Sequence, residues 1–194
     1  DWIKNEIDIF KNDDDKQNIL SVLSEYNIFV KNKKNNLSYS LTHGDVNNYN
    51  LVVRNNEIAG LIDYGDMIYA PIINDLAIAL AYALINKANI LSTLKNIIVN
   101  YFTNHLISEN DIISLMTLAK CRLALTVTIA AKNKFRFPDN DYLYISEKDA
   151  WILLRKLNRI NPYFLIFIIR NFFKNMFYNP ILIILGGNFI FILV

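Results

Sequence analysis

Glycine is scarce in this chain: Gly44, Gly60, Gly65, Gly186 and Gly187 are the only five among 194 residues. None stands before Gly44, which excludes from that stretch a glycine-rich loop of the kind that lies over phosphates. Cysteine is nearly absent too. Cys121 is alone, in the apolar run LAKCRLALTV, so no intrachain disulfide can form and a reducing compartment is the natural reading. Its expected role is that of a small buried hydrophobe. Charge of one sign is also lacking: the net charge is +2, and Lys and Arg are scattered without the basic stripe that nucleic acid requires, so no nucleic-acid partner is expected. The amino-terminal DWIKNEIDIFKNDDDK has no basic segment followed by an apolar core, which argues against a secretory signal or anchor there and makes the cytoplasm the expected location.

What is present suffices for a core. The chain is 53% hydrophobic, and its length suits one domain. Asparagine is abundant, so a lone asparagine in a motif carries little weight. Apolar residues between 3 and 30 recur at helical spacing, broken at Asn12 to Asp15, which predicts two short helices with an acidic turn between them. After KNKKNN come LSYSLTHGD and two apolar runs, LVV and IAGLID, joined by RNNE; that is a hairpin. From Pro71 the pattern is helical, with Asn74 or Asp75 as a cap. Ser108 with Asp111 forms an acidic capping box before a long apolar run, Ser146 with Asp149 opens another helix, and Asn161-Pro162 opens the last. The long run approaches membrane length, but Lys120 and Arg122 in its middle favour a buried helix.

The chemistry concentrates around the hairpin. His43, Gly44, Asp45 and Asn50 have the form H-x-D-x-x-x-x-N, and Asp63, Tyr64 and Gly65 follow the hairpin as a D-F-G-like turn. In phosphoryl transfer an Asp placed as Asp45 accepts the proton of the attacking hydroxyl, while Asn50 and Asp63 offer oxygens to Mg²⁺ held against nucleotide phosphates. Each residue alone has an ordinary reading: His43 as packing, Asp45 as a turn residue, Asn50 as chance. In order, with a hairpin between them, they form a set.

LTHGDVNNYNLVV and GLIDYGDMIYAPIINDLAIALAYAL resemble the catalytic segments of the aminoglycoside phosphotransferase superfamily. Together with CRLALTVTIAAKNKFRFPDNDYLYISEKDAWILL they are most like hydroxylysine kinase and the kinase domains fused to class III aminotransferase-like enzymes. The resemblance covers about residues 37 to 157 and implies ATP- or GTP-dependent transfer to the hydroxyl of a small amino alcohol or hydroxylated amino acid. It makes Asp45 the base, Asn50 and Asp63 the magnesium and nucleotide-side ligands, and Asp75 a structural brace. Asp66, Arg122 and Tyr142 are candidates for the substrate pocket, with Asp141 and Tyr144 beside them.

The implied fold is α+β: the mostly helical carboxy-terminal lobe of a protein-kinase-like fold with a small catalytic β-hairpin, its amino-terminal lobe absent. Residues before His43 are too few for a five-stranded lobe, so the chain reads as a fragment whose nucleotide-binding lobe must come from elsewhere. Residues 1 to 175 are expected to form the lobe and 176 to 194 an aberrant apolar tail, with membrane attachment through that tail the weaker alternative. A non-catalytic remnant or binding module of the same fold is the alternative function.

Overall fold

The computed structural model describes residues 2–105, 107–178, 184–185 and 188–189. The chain opens with a short helix α1 (Trp2–Asn5), then α2 (Asp13–Phe29), and reaches the first strand β1 (Tyr39–Thr42) through a 3-10 stretch at Lys31–Asn36. The sequence pattern placed an acidic turn at Asn12 to Asp15. Instead, Asn12 caps α2 by accepting the Asp14 amide, and Asp13, Asp14 and Asp15 fill the helix's first turn, where its dipole favours negative charge.

Two antiparallel strand pairs are nested. β2 (Leu51–Arg54) and β3 (Glu57–Leu61) form the expected hairpin, and Asn55 and Asn56 at its tip both have positive φ, as a type I′ turn requires. Outside it, β1 pairs with β4 (Ile68–Pro71), from Thr42 opposite Ile68 to Tyr39 opposite Pro71; this second pair was not foreseen. The nesting brings segment 43–50 and segment 62–67, which connect the two pairs, to one end of the strands.

The helical body follows as α3 (Ile73–Ala83), α4 (Ile90–Asn104), α5 (Glu109–Arg136), α6 (Glu147–Asn158) and α7 (Pro162–Tyr178). A short pair, β5 (Ile184–Leu185) with β6 (Asn188–Phe189), lies beyond α7, and most of the predicted tail falls outside the described residues. α5 is central, packing against α2, α3, α6 and α7 through Leu115, Ala119, Leu123 and Val127. Its amino terminus carries the expected capping box: the Ser108 hydroxyl accepts the Asp111 amide, and Asp111 accepts the Ser108 amide. α5 is the one helix among the described residues long and apolar enough to cross a membrane, yet most of that stretch is buried in the protein. Lys120 inside it is fully buried and donates to both carboxylate oxygens of Glu25, at 2.8 and 3.0 Å. Cys121 beside it is half-buried against the core rather than fully buried as expected, and desolvation together with the nearby Glu25 carboxylate pushes its thiol up to about 12.

Two expected caps do other work. Neither Asn74 nor Asp75 caps α3, because Asp75 faces the catalytic loop. Ser146 stands at the start of α6 without a capping hydrogen bond, and Asp149 accepts instead from Asn86 at 3.0 Å.

Candidate active site

The loop between β1 and β2 is held from three sides. Asp75 accepts the His43 and Gly44 amides, at 2.8 and 2.9 Å, so one carboxylate from the first turn of α3 fixes the loop's entry. The buried His43 ring lies 3.0 Å from the Ile62 carbonyl through Nε2, and its Nδ1 accepts the Asp45 amide at 3.3 Å, which assigns the ring proton to Nε2. The Asn50 carbonyl accepts the Ile62 amide at 2.9 Å. Ile62 therefore ties the residue before Asp63 to both ends of the catalytic loop. His43 is a brace, not only a packing residue.

Gly44 shows why glycine is present here. Its φ is +83°, and a Cβ would come within 2.4 Å of the Asp66 backbone carbonyl, so any side chain would push the Asp63–Asp66 turn away from the loop. Tyr64 completes the junction with its ring 4.9 Å from that of His43.

Within the loop, Asp45 is the hub. Asn47 and Asn50 donate their side-chain amides to Asp45 Oδ2, at 2.8 and 3.1 Å, and Asn50 also donates to the Asp45 carbonyl at 2.9 Å. Asn47 Oδ1 in turn accepts the Tyr49 and Asn50 amides. With its amide turned toward Asp45, Asn50 keeps Oδ1 for another partner. Arg122 Nη2 on α5 donates to Asp45 Oδ1 at 2.5 Å and to the Tyr82 hydroxyl at 3.0 Å, with the guanidinium 5.4 Å from the Tyr82 ring centre. Asn47 and Tyr82 were missed in the sequence. Asn47 was one asparagine among many, and Tyr82 reaches the site only through the packing of α3 on α5.

Asp63 occupies the left-handed region, φ 66° and ψ 64°, a conformation unfavourable for a residue with a Cβ and frequent where function over-determines the backbone. It is exposed, and its side chain makes no capping hydrogen bond to the turn that follows. The exposed Asp63 carboxylate and the Asn50 side-chain Oδ1, at the ends of segments joined through Ile62, suit a Mg²⁺ ion, which takes one or two protein oxygens and completes its shell with phosphate and water. No cluster of three or more His, Cys, Asp or Glu suited to a closed metal site exists among the described residues.

Of the substrate candidates, the structure brings Arg122 to Asp45 and sets the Asp66 backbone against Gly44, with the Asp66 side chain exposed. Tyr142 stands exposed on the 3-10 turn Asp141–Tyr144, with no hydrogen bond to Asp45 or Arg122. Tyr144 donates to Asp141 at 2.5 Å; that bond and the surrounding carboxylates push its phenol up.

Residues 10–93 match the phosphotransferase enzyme family, a span that runs from just before α2 through the Asp45 loop, the Asp63 turn and α3 into the first turn of α4. The chain is 24% identical to a hydroxylysine kinase of Xenopus laevis over 72% of its own length and 40% of that protein's. It is 26% identical to a hydroxylysine kinase of Danio rerio over 73% and 41%, and 25% identical to one of Mus musculus over 66% and 37%. The chain thus spans about two-fifths of the length of the curated relatives it matches. No solved structure matches it significantly. The catalytic loop and the Asp63 turn both lie inside the matched span, and the chain resembles the phosphotransferase enzyme family and the hydroxylysine kinases, as its motifs indicate.

Proposed function

We propose that this chain carries the catalytic half of a phosphotransferase that moves the terminal phosphoryl group of ATP to the hydroxyl of a small amino alcohol or hydroxylated amino acid. The carrying observation is the hub at Asp45: one carboxylate oriented by Asn47, Asn50 and Arg122, in a loop stitched to the Asp63 turn. Asp45 is the base. Asn47 and Asn50 fix Oδ2 and Arg122 fixes Oδ1, so the carboxylate meets the attacking hydroxyl without reorganising. Asn50 Oδ1 and Asp63 hold Mg²⁺, which when bound neutralises phosphate charge. The hydroxylysine kinases among the relatives favour an amino-acid acceptor.

In this reading residues 1 to 175 are a carboxy-terminal lobe, residues 176 to 194 an added apolar tail, the location is the cytoplasm, and a nucleotide-binding lobe completes the enzyme. The exposed Val53, Ile58 and Ile68 on the strand pairs, with Met67 just before β4, suit the face against which such a lobe packs. A polypeptide uniting this chain with such a lobe should phosphorylate hydroxylysine from ATP, and Asp45→Ala should lower kcat by about 10²- to 10⁴-fold. Full turnover by Asp45→Ala would remove the assignment. In the same polypeptide Mg²⁺ and ATP should bind with positive coupling of about 1–3 kcal/mol, lost in Asp63→Asn.

A further inference from the structure

A cleft of about 530 Å³ opens beside the Asp45 loop, and Asp63 is not among the residues that line it. One wall is Asn48 and Tyr49, the residues between the proposed base and the proposed metal ligand. Another is the end of α3, with Tyr82, Asn86 and Lys87, and the third is the start of α6, with Asp149. Tyr82 links this space to the chemistry, since its hydroxyl accepts from the Arg122 group that donates to Asp45. A molecule in the cleft therefore lies one side chain from the ion pair at the base.

The charges in the cleft are unusual. Lys87 is exposed and forms no ion pair among the described residues, and Asp149 is half-buried with the Asn86 amide as its hydrogen-bond partner. Opposite charges line one cavity without pairing to each other. A neutral acceptor would leave both unused, and a phosphate-bearing one would meet the Asp149 carboxylate. A zwitterion satisfies both, because hydrogen bonds between charged groups are the strong ones. With its Nδ2 donating to Asp149 at 3.0 Å, Asn86 keeps its side-chain Oδ1 for a donor.

We propose that this cleft binds the acceptor as a free hydroxy amino acid, with Asp149 and Asn86 receiving its ammonium and Lys87 its carboxylate, so that its side-chain hydroxyl extends past Tyr49 toward Asp45. The identification of the ligand as an acceptor rests on the phosphotransferase reading above; the binding of a zwitterion does not.

The test uses the 194-residue chain, without nucleotide. L-hydroxylysine, its decarboxylated amino alcohol and its Nα-acetyl derivative are titrated by calorimetry. The amino acid should bind, and each altered compound should bind at least roughly tenfold more weakly. Lys87→Met should weaken the amino acid by a similar factor and leave the amino alcohol unchanged, whereas Asp149→Asn should weaken both. Matched thermal melts establish that the variants are folded. Equal affinity for all three compounds, absence of binding, or a Lys87→Met effect common to all three would overturn the proposal. The coupling of Mg²⁺ to ATP in the lobe-completed polypeptide reports separately on the phosphotransferase reading: no coupling there without any substitution, with amino-acid binding intact, would sink that reading and leave an amino-acid site.

Discussion

Lys120 and Arg122 stand two residues apart on α5 and serve two different regions. Lys120 points into the helical body, where it is fully buried against Glu25 of α2; Arg122 points to the strand pairs, where side chains of the Arg122–Asp45 pair keep 21% and 20% of their exposure. The body has an apolar core and holds the fully buried Lys120 ammonium against Glu25, with Arg155–Asp15 and Lys132–Glu6 as less buried pairs at its edge. The strand region has exposed apolar residues, positive φ at Gly44, Asn55, Asn56 and Asp63, and a carboxylate hub open to solvent. The difference separates a region that supplies packing from one that keeps its charges partly open to solvent: a site of the proposed kind would have to admit substrate and metal, and this one borrows rigidity from a helix whose opposite face is locked into the core.

That contrast can be broken most forcefully in the body. Glu25→Ala leaves the Lys120 ammonium buried without a partner and should cost about 3–5 kcal/mol of stability, read by denaturant titration. Glu25→Leu with Lys120→Met should recover most of it, and a double variant as unstable as Glu25→Ala would mean that the pair contributes more than charge compensation. Gly44→Ala should come next: positive φ and the meeting with the Asp66 carbonyl should cost about 1–3 kcal/mol. It should also separate the Asp63 turn from Asp45, visible as lost coupling between Mg²⁺ and ATP in the lobe-completed polypeptide. An unchanged melting temperature and coupling would show that the loop and turn do not depend on this close approach. Ser108→Ala should cost about 1 kcal/mol by removing a cap of α5.

Ile58→Thr, on the exposed hairpin, should change stability by no more than about 0.5 kcal/mol in the chain by itself. Leu154→Ala, in the fully buried core, should cost about 2–5 kcal/mol, and similar losses at the two sites would erase the distinction between the regions. A pH series tests the packing around Cys121. Its thiol keeps its proton up to about 12 in the folded protein, above its ordinary value of 9.0, so stability present below pH 9 should fall as pH rises between these values. At pH 8 the native thiol should resist iodoacetamide and react once urea unfolds the chain; equal rates in both states would contradict its burial.

The H-x-D-x-x-x-x-N and D-Y-G motifs were legible because their spacing is local. Residues 43 to 65 contain a loop, a hairpin and a turn in chain order, so their proximity follows from a hairpin that its apolar runs and RNNE announce. Arg122 was legible as a cation inside an apolar run and, through the resemblance, as a substrate-pocket candidate, but not as the partner of Asp45, 77 residues away. Asp75 illustrates the competition: by local rules a residue in the first turn of a helix is a cap, but here the nearby catalytic loop offered two unpaired amides and took the carboxylate. At Asp13 to Asp15 the same acidic residues that suggested a turn were a helix start, since the dipole rewards charge at that place.

By itself, then, the sequence determined the helical and hairpin periods, the α5 capping box, and the order of His43, Asp45, Asn50 and Asp63, because these depend on backbone preference and on residues near one another in the chain. Only the tertiary structure decided that β1 joins β4, that Asp75 holds the loop, that Tyr82 and Arg122 reach Asp45, and that Lys87 and Asp149 share one cleft. Those pairings join segments up to 77 residues apart, and a partner at such distance is selected by how the helices pack, which no local pattern encodes.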